Sequence, residues 1–392
     1  MRVIDIDSHY FEPPDWLEQV DPALATEIPE SDPIERVVRF VAGDLLDQVA
    51  REQLPENLAE LLAPAGQRAL ESALGRISDE SEAAASTPPP MSYNAEARLA
   101  FNDAQGIDVQ FINPTFASNP FASAMRAKRV DLARRTLEAY NTWSSQTLLG
   151  HTDRLIPTAM IDVSDVDWAV REMTRARAAG SRTFQVRAEP VDDNRSLAHP
   201  DLDPIWAAAV DLGMAAVFHI GGARNDVAKG WYFNGGSPSH FALLHLVAGS
   251  MVPQVALAAM LVEGVFERHP GLVLIVEELG ITWLPHFLTT IDSITTGPHG
   301  ANFGMGPGDY KLPLKPSEYM RRQVRFTPLV SSDPLRPTYD LIPEELLIFS
   351  SDVPHPEGRD DAVAICEEQL QDLTPERRER FFGGEIAQLL DI

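Results

Sequence analysis

The stretch VIDIDSH (Val3–His9) near the amino terminus joins a strand pattern to two side chains that can bind a metal ion. Its first four residues are mostly apolar and β-branched, which is typical of a buried strand. Residues two positions apart lie on the same side of a strand, so Asp7 and His9 are expected to point together. The stretch therefore predicts a first strand that ends in one oxygen donor and one nitrogen donor.

Seven further apolar runs of strand length follow, and most are separated by segments in which apolar residues recur every three or four positions. Nearly continuous apolar runs are typical of parallel strands buried on both faces. Eight alternating strand and helix units in 392 residues favour an α/β fold of the (β/α)8 TIM-barrel class over a doubly wound sheet. We therefore expect one barrel domain over residues 1–392. The predicted strands are Val3–Ile6, Val109–Asn113, Leu155–Ile161, Thr183–Arg187, Ala215–Ile220, Val273–Glu277, Val324–Thr327 and Leu346–Ser350.

An insertion at residues 36–95 lies between the first two predicted strands. Arg36–Ile77 has a helical pattern, and the acidic, Ser/Ala/Pro-rich Asp79–Pro90 is typical of a flexible connector. Long insertions in barrels lie on loops, so this helical and flexible segment is a candidate lid over the barrel mouth. A surface-packed decoration or a dimer contact is an equal alternative.

The charge of the chain excludes two classes of partner. It carries 58 acidic and 32 basic residues, for a net charge of −26, and no Lys/Arg run forms a basic patch. Phosphate backbones and anionic lipids repel such a protein, and no stretch approaches the ~18 apolar residues of a membrane span. We therefore expect a small-molecule partner, no nucleic acid and no membrane. The single cysteine, Cys366, is compatible with a cytoplasmic location, which is the default expectation.

Two more strand ends carry possible metal ligands. His219 lies near the end of the fifth predicted strand, and Asp352 follows the eighth. Oxygen and nitrogen donors together suit Zn²⁺ or Mn²⁺, and barrel enzymes build their sites at the carboxyl ends of strands. Taken alone, His219 is more simply a core residue and Asp352 a turn former. Their coincidence with Asp7 and His9 favours a site for one divalent metal ion, with His355 as an orienting partner of the ligands.

Seven sequence motifs, spread over nearly the whole chain, resemble motifs of one protein family. They are IDIDSHYFEPPDW (Ile4–Trp16), ARLAFNDAQGIDVQFINPT (Ala97–Thr115), AYNTW (Ala139–Trp143), HPDLDPIWAAAVDLGMAAVFHIGG (His199–Gly222), EGVFERHPGLVLIVEELGITWLP (Glu263–Pro285), EYMRRQVRFT (Glu318–Thr327) and LIFSSDVPHPEG (Leu347–Gly358). Together they resemble the amidohydrolase-related family. This branch of the amidohydrolase superfamily includes aminocarboxymuconate-semialdehyde decarboxylase and the resorcylate-type decarboxylases.

The resemblance implies a distorted (β/α)8 barrel that forms a homodimer and holds one divalent metal ion, with zinc the first expectation and manganese the second. Asp7 and His9 match the Asp-x-His form of the strand-one ligand pair. His219 matches the strand-five ligand, and Asp352 matches the strand-eight carboxylate. Glu12 lies where many relatives also carry Glu. We expect it near the metal, as a ligand or as a partner of one, with a loop cap as the equal alternative.

After the sixth strand the chain departs from the family pattern. Decarboxylases of the family usually carry His-x-Gly there, whereas this chain has Glu278-Leu279-Gly280. A carboxylate cannot donate a hydrogen bond unless its pKa is raised, but it can act as a general base or as a metal ligand. His245 can supply the missing imidazole, although packing on an amphipathic helix is the slightly favoured interpretation.

Two reactions fit the predicted ligands. In hydrolysis, a divalent ion lowers the pKa of water and polarises a carbonyl, while Asp352 carries the proton. In non-oxidative decarboxylation of a small aromatic or unsaturated acid, Asp352 protonates carbon instead. Glu278 in place of the usual His narrowly favours hydrolysis, with Asp352, Glu278 and His245 as the candidate catalytic residues. A non-catalytic binding barrel is the third hypothesis, which the complete ligand set disfavours.

Four further residues are candidates to contact a substrate. Arg187 ends the fourth predicted strand and can bind a carboxylate through its guanidinium group, with an ion pair to Glu189 as the equal alternative. Trp16, Phe116 and Trp283 can line an apolar pocket, although aromatic residues in such positions are more often part of the core.

Overall fold

The computed structural model of the protein describes residues 1–28, 90–192, 194–220, 246, 251–302, 308–355 and 357–392. The fold is α/β, with a seven-stranded parallel sheet whose strands follow one another in chain order. Parallel pairing of consecutive strands is the arrangement of a TIM-like barrel. The strands are β1 (Ile4–His9), β2 (Val109–Asn113), β3 (Leu155–Met160), β4 (Thr183–Gln185), β5 (Ala215–His219), β6 (Leu274–Glu277) and β7 (Val324–Phe326).

Helices connect most of these strands, as the spacing of apolar residues predicts. The spacing of apolar residues predicts one helix over His240–Phe266, but in its described part, from residue 251 onward, Gly264 adopts a left-handed conformation (φ 78°) that separates two helices. The helices are α1 (Trp16–Val20), α2 (Pro22–Glu27), α3 (Ala95–Gln105), α4 (Ser118–Arg126), α5 (Val130–Thr147), α6 (Val166–Ala178), α7 (Asp203–Leu212), α8 (Val252–Val262), α9 (Val265–Arg268), α10 (Leu284–Thr295), α11 (Pro298–Asn302), α12 (Pro316–Gln323), α13 (Leu335–Tyr339), α14 (Ala362–Gln369), α15 (Pro375–Glu379) and α16 (Glu385–Leu390).

The predicted eighth strand does not form regular strand pairing. Instead, residues 347–353, here called the bridging segment, connect the two edges of the sheet through a few backbone hydrogen bonds. On the β7 side, Ile348 N donates to the carbonyl of Phe326 (3.1 Å). On the β1 side, Asp352 N donates to the carbonyl of Asp7 (2.8 Å). The sheet therefore has seven regular strands rather than the eight predicted, and the bridging segment brings Asp352 beside the end of β1.

The inner face of the sheet carries an apolar cluster below a polar layer. The apolar cluster draws residues from β1, β2, β3, β5, β6 and α16, including Phe111, Val217 and Ile275. Two positions further along the same strands lie Asn113, His219 and Glu277, which alternation places on the same face. The polar layer therefore lies at the carboxyl ends of the strands, directly above a closely packed apolar core.

An irregularity in β1 brings its two polar residues into this layer. Ile6 belongs to the inner apolar cluster, so regular alternation would turn Asp7 and His9 to the opposite face. The pairing of β1 with β2 shifts register between Asp5 and Ser8. A register shift of this kind moves the residues that follow it to the other face. The side chains of Asp7 and His9 therefore point inward.

Most of the predicted insertion lies outside the described residues. Of residues 36–95, the structure describes a 3-10 turn, Pro90–Ser92, and the start of α3. The lid remains a prediction. Among the described helices, none is both long and apolar enough to cross a membrane.

Gly358 lies against the bridging segment where a side chain does not fit. A Cβ atom at Gly358 would overlap the carbonyl oxygen of Asp352 and would lie 3.0 Å from that of Ser351. Its amide also donates to the carbonyl of His355 (3.0 Å), which limits movement of the backbone. We expect Gly358→Ala to reduce the free energy of unfolding by about 2–3 kcal/mol, as measured by urea denaturation.

The matched control is Gly384→Ala. Gly384 has helical dihedral angles (φ −60°, ψ −38°), and the nearest contact of an added Cβ would be 3.2 Å. We expect this control to change the free energy of unfolding by less than about 1 kcal/mol. Wild-type stability of Gly358→Ala would contradict the close approach.

Candidate metal centre

Three side chains from β1 and β5 converge in the polar layer. Asp7 and His9 are buried, and the side chain of His219 is 8% exposed. The Nε2 atoms of His9 and His219 lie 3.0 Å apart. Asp7 Oδ1 lies 3.2 Å from Nε2 of His9 and 3.6 Å from Nε2 of His219. Three donor atoms at such spacing can surround one ion at ordinary ligand distances.

Backbone carbonyl groups fix which nitrogen of each ring carries hydrogen. Nδ1 of His9 lies 3.0 Å from the carbonyl oxygen of Pro114, and Nδ1 of His219 lies 2.9 Å from that of Ile220. A carbonyl oxygen can only accept, so each Nδ1 donates and each neutral ring presents a lone pair at Nε2. Two lone pairs and a carboxylate oxygen of Asp7 therefore face one another. A bound cation stabilises this arrangement.

The two rings differ in their affinity for a proton. Burial lowers the pKa of His9 to about 3, which keeps this ring neutral. Burial also acts to lower the pKa of His219, but the neighbouring Asp7 outweighs burial and raises it. A proton and a metal ion therefore compete for Nε2 of His219.

Asp352 and His355 approach the same atoms from the bridging segment and the loop after it. Asp352 Oδ1 lies 3.6 Å from Nε2 of His9 and 3.0 Å from Nδ1 of His355. The ring of His355 stacks on that of His9, with centroids 3.8 Å apart. Thr115 Oγ1 lies 3.2 Å from Nδ1 of His9 and 3.2 Å from Nε2 of His355. His355 therefore contacts both a predicted ligand ring and a predicted ligand carboxylate.

Glu278 reaches the centre from the loop after β6. Its side chain is buried, and its Oε2 atom lies 3.2 Å from Nε2 of His219. A hydrogen bond joins it to Glu357. Ligand atoms of His9, Glu278, Asp352 and His355 all lie within 4.8 Å of one another.

Several acidic side chains lie buried close together, and this raises the pKa of three of their carboxyl groups. Asp352, Glu277 and Glu278 all have pKa values well above the ordinary range, first because burial disfavours the charged form and then because other carboxylates lie nearby. Asp7 differs from them. Burial acts to raise its pKa, but the neighbouring His219 outweighs burial and holds the pKa of Asp7 well below its usual range.

The donor atoms fit a divalent cation. Asp7 Oδ2, Glu277 Oε1 and Asp352 Oδ2 are buried and accept no hydrogen bond within the described residues. A buried polar atom without a partner costs about 1–3 kcal/mol, and more when it is charged. A cation among these oxygens and the two imidazole nitrogens would offset that cost. The mixture of nitrogen and oxygen donors is one that Zn²⁺ and Mn²⁺ both accept.

Two polar residues of this layer, Asn113 and Glu277, were not predicted from the sequence as site residues. Asn113 Nδ2 donates to Asp7 Oδ1 (2.9 Å) and to Glu277 Oε2 (2.8 Å). Asn113 is the last residue of β2, and Glu277 is the last residue of β6. The signal that could have identified Asn113 and Glu277 is a polar residue at the end of a mostly apolar strand.

Glu12 is placed as a loop cap. Its carboxylate accepts hydrogen bonds from the backbone amides of Thr115 (3.1 Å) and Phe116 (2.7 Å). It does not belong to the described groups whose ligand atoms cluster closely enough to share an ion. Of the alternatives considered from the sequence, the loop cap accounts for its contacts.

The candidate substrate contacts differ in position. Arg187 pairs with Glu189, with 2.8 Å between Nε and Oε1. Phe116 lies near the centre, since its ring centroid is 5.5 Å from that of Phe11, which is itself 5.7 Å from the ring of His355.

Two of the aromatic candidates, Trp16 and Trp283, make their described contacts with the core and with the loop after β6, and their role as substrate contacts stays a prediction. Trp16 is buried in the core, 6.2 Å from the ring of Tyr140. Trp283 Nε1 donates to the carbonyls of Leu279 (3.1 Å) and Gly280 (3.0 Å), so it braces the loop that carries Glu278. His245 lies outside the described residues, and its catalytic role stays a prediction.

Measuring the metal content of variants distinguishes the proposed ligands Asp7 and His219 from Glu12, which caps a loop. We expect Asp7→Ala and His219→Ala to lose the bound metal, because each removes one donor from the triangle of Asp7, His9 and His219. We expect Glu12→Gln to keep it, because the contacts of Glu12 are backbone amides. The measurement is metal content per chain by elemental analysis of protein purified in parallel. Metal loss in Glu12→Gln with retained far-UV circular dichroism would return Glu12 to the ligand set.

Three solved structures share the fold over the whole chain. An amidohydrolase from Mycobacterium avium subsp. paratuberculosis K-10 has a TM-score of 0.70 at 22% identity and covers 99% of both chains. The 5-carboxyvanillate decarboxylase LigW from Sphingomonas paucimobilis has a TM-score of 0.62 at 20% identity, over 100% of this chain and 99% of that one. A dihydroxybenzoic acid decarboxylase from Polaromonas sp. JS666, with bound manganese and the inhibitor 2-nitroresorcinol, has a TM-score of 0.58 at 14% identity, over 100% and 97%.

At these identities the structural likeness establishes the fold. The comparison with curated proteins gives no match. The family assignment comes from the sequence, since a family model described as amidohydrolase matches residues 85–392, well over half of the chain. The chain therefore belongs to the amidohydrolase family.

Proposed function

We propose that the protein is a metal-dependent non-oxidative decarboxylase of a small aromatic carboxylic acid. The observation that carries this proposal is the buried cluster of Asp7, His9, His219 and Asp352 at the carboxyl end of the sheet. Two of the three structural relatives described above are decarboxylases of aromatic acids, namely 5-carboxyvanillate and dihydroxybenzoic acid. They favour this reaction over the hydrolysis that the sequence narrowly favoured.

The four clustered residues would hold the ion, two through imidazole nitrogen and two through carboxylate oxygen. A bound divalent ion supplies positive charge that attracts an anionic substrate and stabilises charge developing on its oxygen atoms. The ion in the Polaromonas structure is manganese. Zinc and a homodimeric assembly stay predictions from the sequence.

We assign the proton transfer to Asp352. Its Oδ2 atom accepts no hydrogen bond within the described residues, while Oδ1 lies 3.0 Å from Nδ1 of His355. In the reaction, the protonated carboxyl of Asp352 gives its proton to the ring carbon that bears the carboxylate. The bond from that carbon to the carboxylate then breaks and releases CO₂. Solvent reprotonates Asp352 for the next cycle, so the net change exchanges CO₂ for a proton on the ring.

Hydrolysis is the second candidate, and Glu278 is the observation that favours it. A carboxylate 3.2 Å from Nε2 of His219 lies where it can accept a proton from an attacking water molecule. The two reactions give different products from different substrates. A screen for CO₂ release from 5-carboxyvanillate and dihydroxybenzoates, run beside amides and esters, tests one against the other. If the protein is a non-catalytic barrel, we expect neither CO₂ release nor hydrolysis in this screen.

Asp352→Asn removes the proposed proton carrier with little change of shape. We expect turnover to fall by at least about 10²-fold, which is the contribution typical of general acid catalysis. The far-UV circular dichroism spectrum should be unchanged. The readout is the initial rate of CO₂ release on the best substrate of the screen.

An exposed aspartate provides the control for this variant. Asp211 is exposed at the end of α7, and we expect Asp211→Asn to retain the wild-type rate. A wild-type rate in Asp352→Asn would remove Asp352 from the mechanism.

A further inference from the structure

We propose that Glu278 is a direct ligand of the metal ion, in addition to Asp7, His9, His219 and Asp352. This inference rests on the proposed function, because it concerns the same ion. Glu278 Oε2 lies 3.2 Å from Nε2 of His219, as close as Asp7 Oδ1 lies to Nε2 of His9. The spacing is that of two donor atoms on one ion.

The approach of Glu278 to His219 is not explained by an ordinary hydrogen bond. Nδ1 of His219 donates to the carbonyl of Ile220, so the Nε2 atom of the neutral ring carries a lone pair. Glu278 Oε2 is buried and accepts no hydrogen bond within the described residues. Once Glu278 is ionised, its oxygen and the nitrogen lone pair repel each other in this buried site unless a cation lies between them. The ion that the other ligands require supplies that cation.

The backbone of Glu278 shares an unusual conformation with the predicted ligand Asp352. Both are non-glycine residues with left-handed φ angles, 56° for Glu278 and 57° for Asp352. Such conformations are uncommon for residues with a side chain, and they persist where the surrounding structure enforces them. Each residue lies just beyond an inner strand or segment and turns a carboxylate into the same layer.

The surrounding loop holds Glu278 in this conformation. Its amide donates to Thr327 Oγ1 (3.3 Å). Asp333 Oδ2 accepts from the amides of Ile281 (3.1 Å) and Leu329 (2.8 Å), which connects this loop to the one after β7. The hydrogen bond to Glu357 orients the carboxyl group, as outer partners of ligating carboxylates commonly do. The side chain is thus pre-positioned at the centre.

With Glu278 included, the donor set becomes three carboxylates and two imidazoles. Oxygen-rich sets with more than four ligands favour Mn²⁺ relative to Zn²⁺, which is most often four-coordinate in proteins. Glu278, which stands where the family resemblance predicts an imidazole, would then act by holding the ion.

The test uses cobalt and manganese as probes of the full-length protein. Metal is removed with a chelator, Co²⁺ is added back, and the visible absorption is recorded for wild type, Glu278→Gln and Glu278→Ala. Ligand-field bands of Co²⁺ gain intensity as the number of ligands falls. We expect stronger, shifted bands in Glu278→Ala, a smaller change in Glu278→Gln, and Mn²⁺ affinity lower by at least about tenfold in Glu278→Ala. The affinity for Zn²⁺ should fall less.

Glu172→Gln is the matched control. Glu172 is a buried carboxylate on α6, bonded to Asn141 and Arg175 and not part of the described metal-type clusters. It should leave the Co²⁺ spectrum and the Mn²⁺ affinity unchanged, and circular dichroism verifies folding of every variant. Should Glu278→Ala fail to fold, the isosteric Glu278→Gln carries the test through its own spectrum and affinity.

The outcomes separate this inference from the proposed function. Wild-type spectra and Mn²⁺ affinity in the folded Glu278 variants would overturn the ligand role and leave the proposed function intact. Failure of the wild-type protein to bind Co²⁺, Mn²⁺ or Zn²⁺ would overturn both.

Discussion

The 3.0 Å approach of the Nε2 atoms of His9 and His219 is the contact on which the site depends. Each ring is held from behind by a backbone carbonyl, so turning either one would cost a hydrogen bond worth about 1 kcal/mol. Asp7 is held in turn by the amide of Asn113. The donors are therefore fixed in place before any ion arrives. Their mutual repulsion in a buried setting makes the centre selective for positive charge.

A network of buried side chains holds β1 and the bridging segment beside this contact. Behind the site, the buried Arg98 donates to the carbonyl of His9 (2.5 Å) and to Gln110 Oε1 (3.1 Å). Gln110 donates to Asp5 (2.7 Å), which accepts from the amide of Ser351 (2.9 Å). This network joins α3, β2, β1 and the bridging segment by side chains where regular sheet pairing is interrupted. This network explains how β1 and the bridging segment stay connected although the sheet has only seven regular strands.

The sequence was sufficient to locate seven of the eight predicted strands, because burial leaves a direct mark on composition. The range of β2 was predicted without error, and β3 and β5 differ from prediction by one residue at one end. The register shift in β1 could not be predicted from the sequence, because it depends on how β2 pairs with β1. The same limit applies to Glu12 and Trp16, whose residue types suit a site but whose partners come from distant parts of the chain. Asn113 was missed because an amide is not a metal donor of choice, although its position at a strand end is informative.

The chemistry of the site depends on the residue that stands after the sixth strand, where the family resemblance predicts an imidazole. Glu278 stands there, but the centre is not left without a third ring. His355 stacks on His9 and lies within 3.0 Å of Asp352, having entered from the other side of the bridging segment. Burial lowers the pKa of His355 to about 4, so the ring remains neutral beside the carboxyl group of Asp352. The centre therefore combines a carboxylate after the sixth strand with a third imidazole that stacks on a proposed ligand ring, so both kinds of donor surround the atoms that would hold the ion.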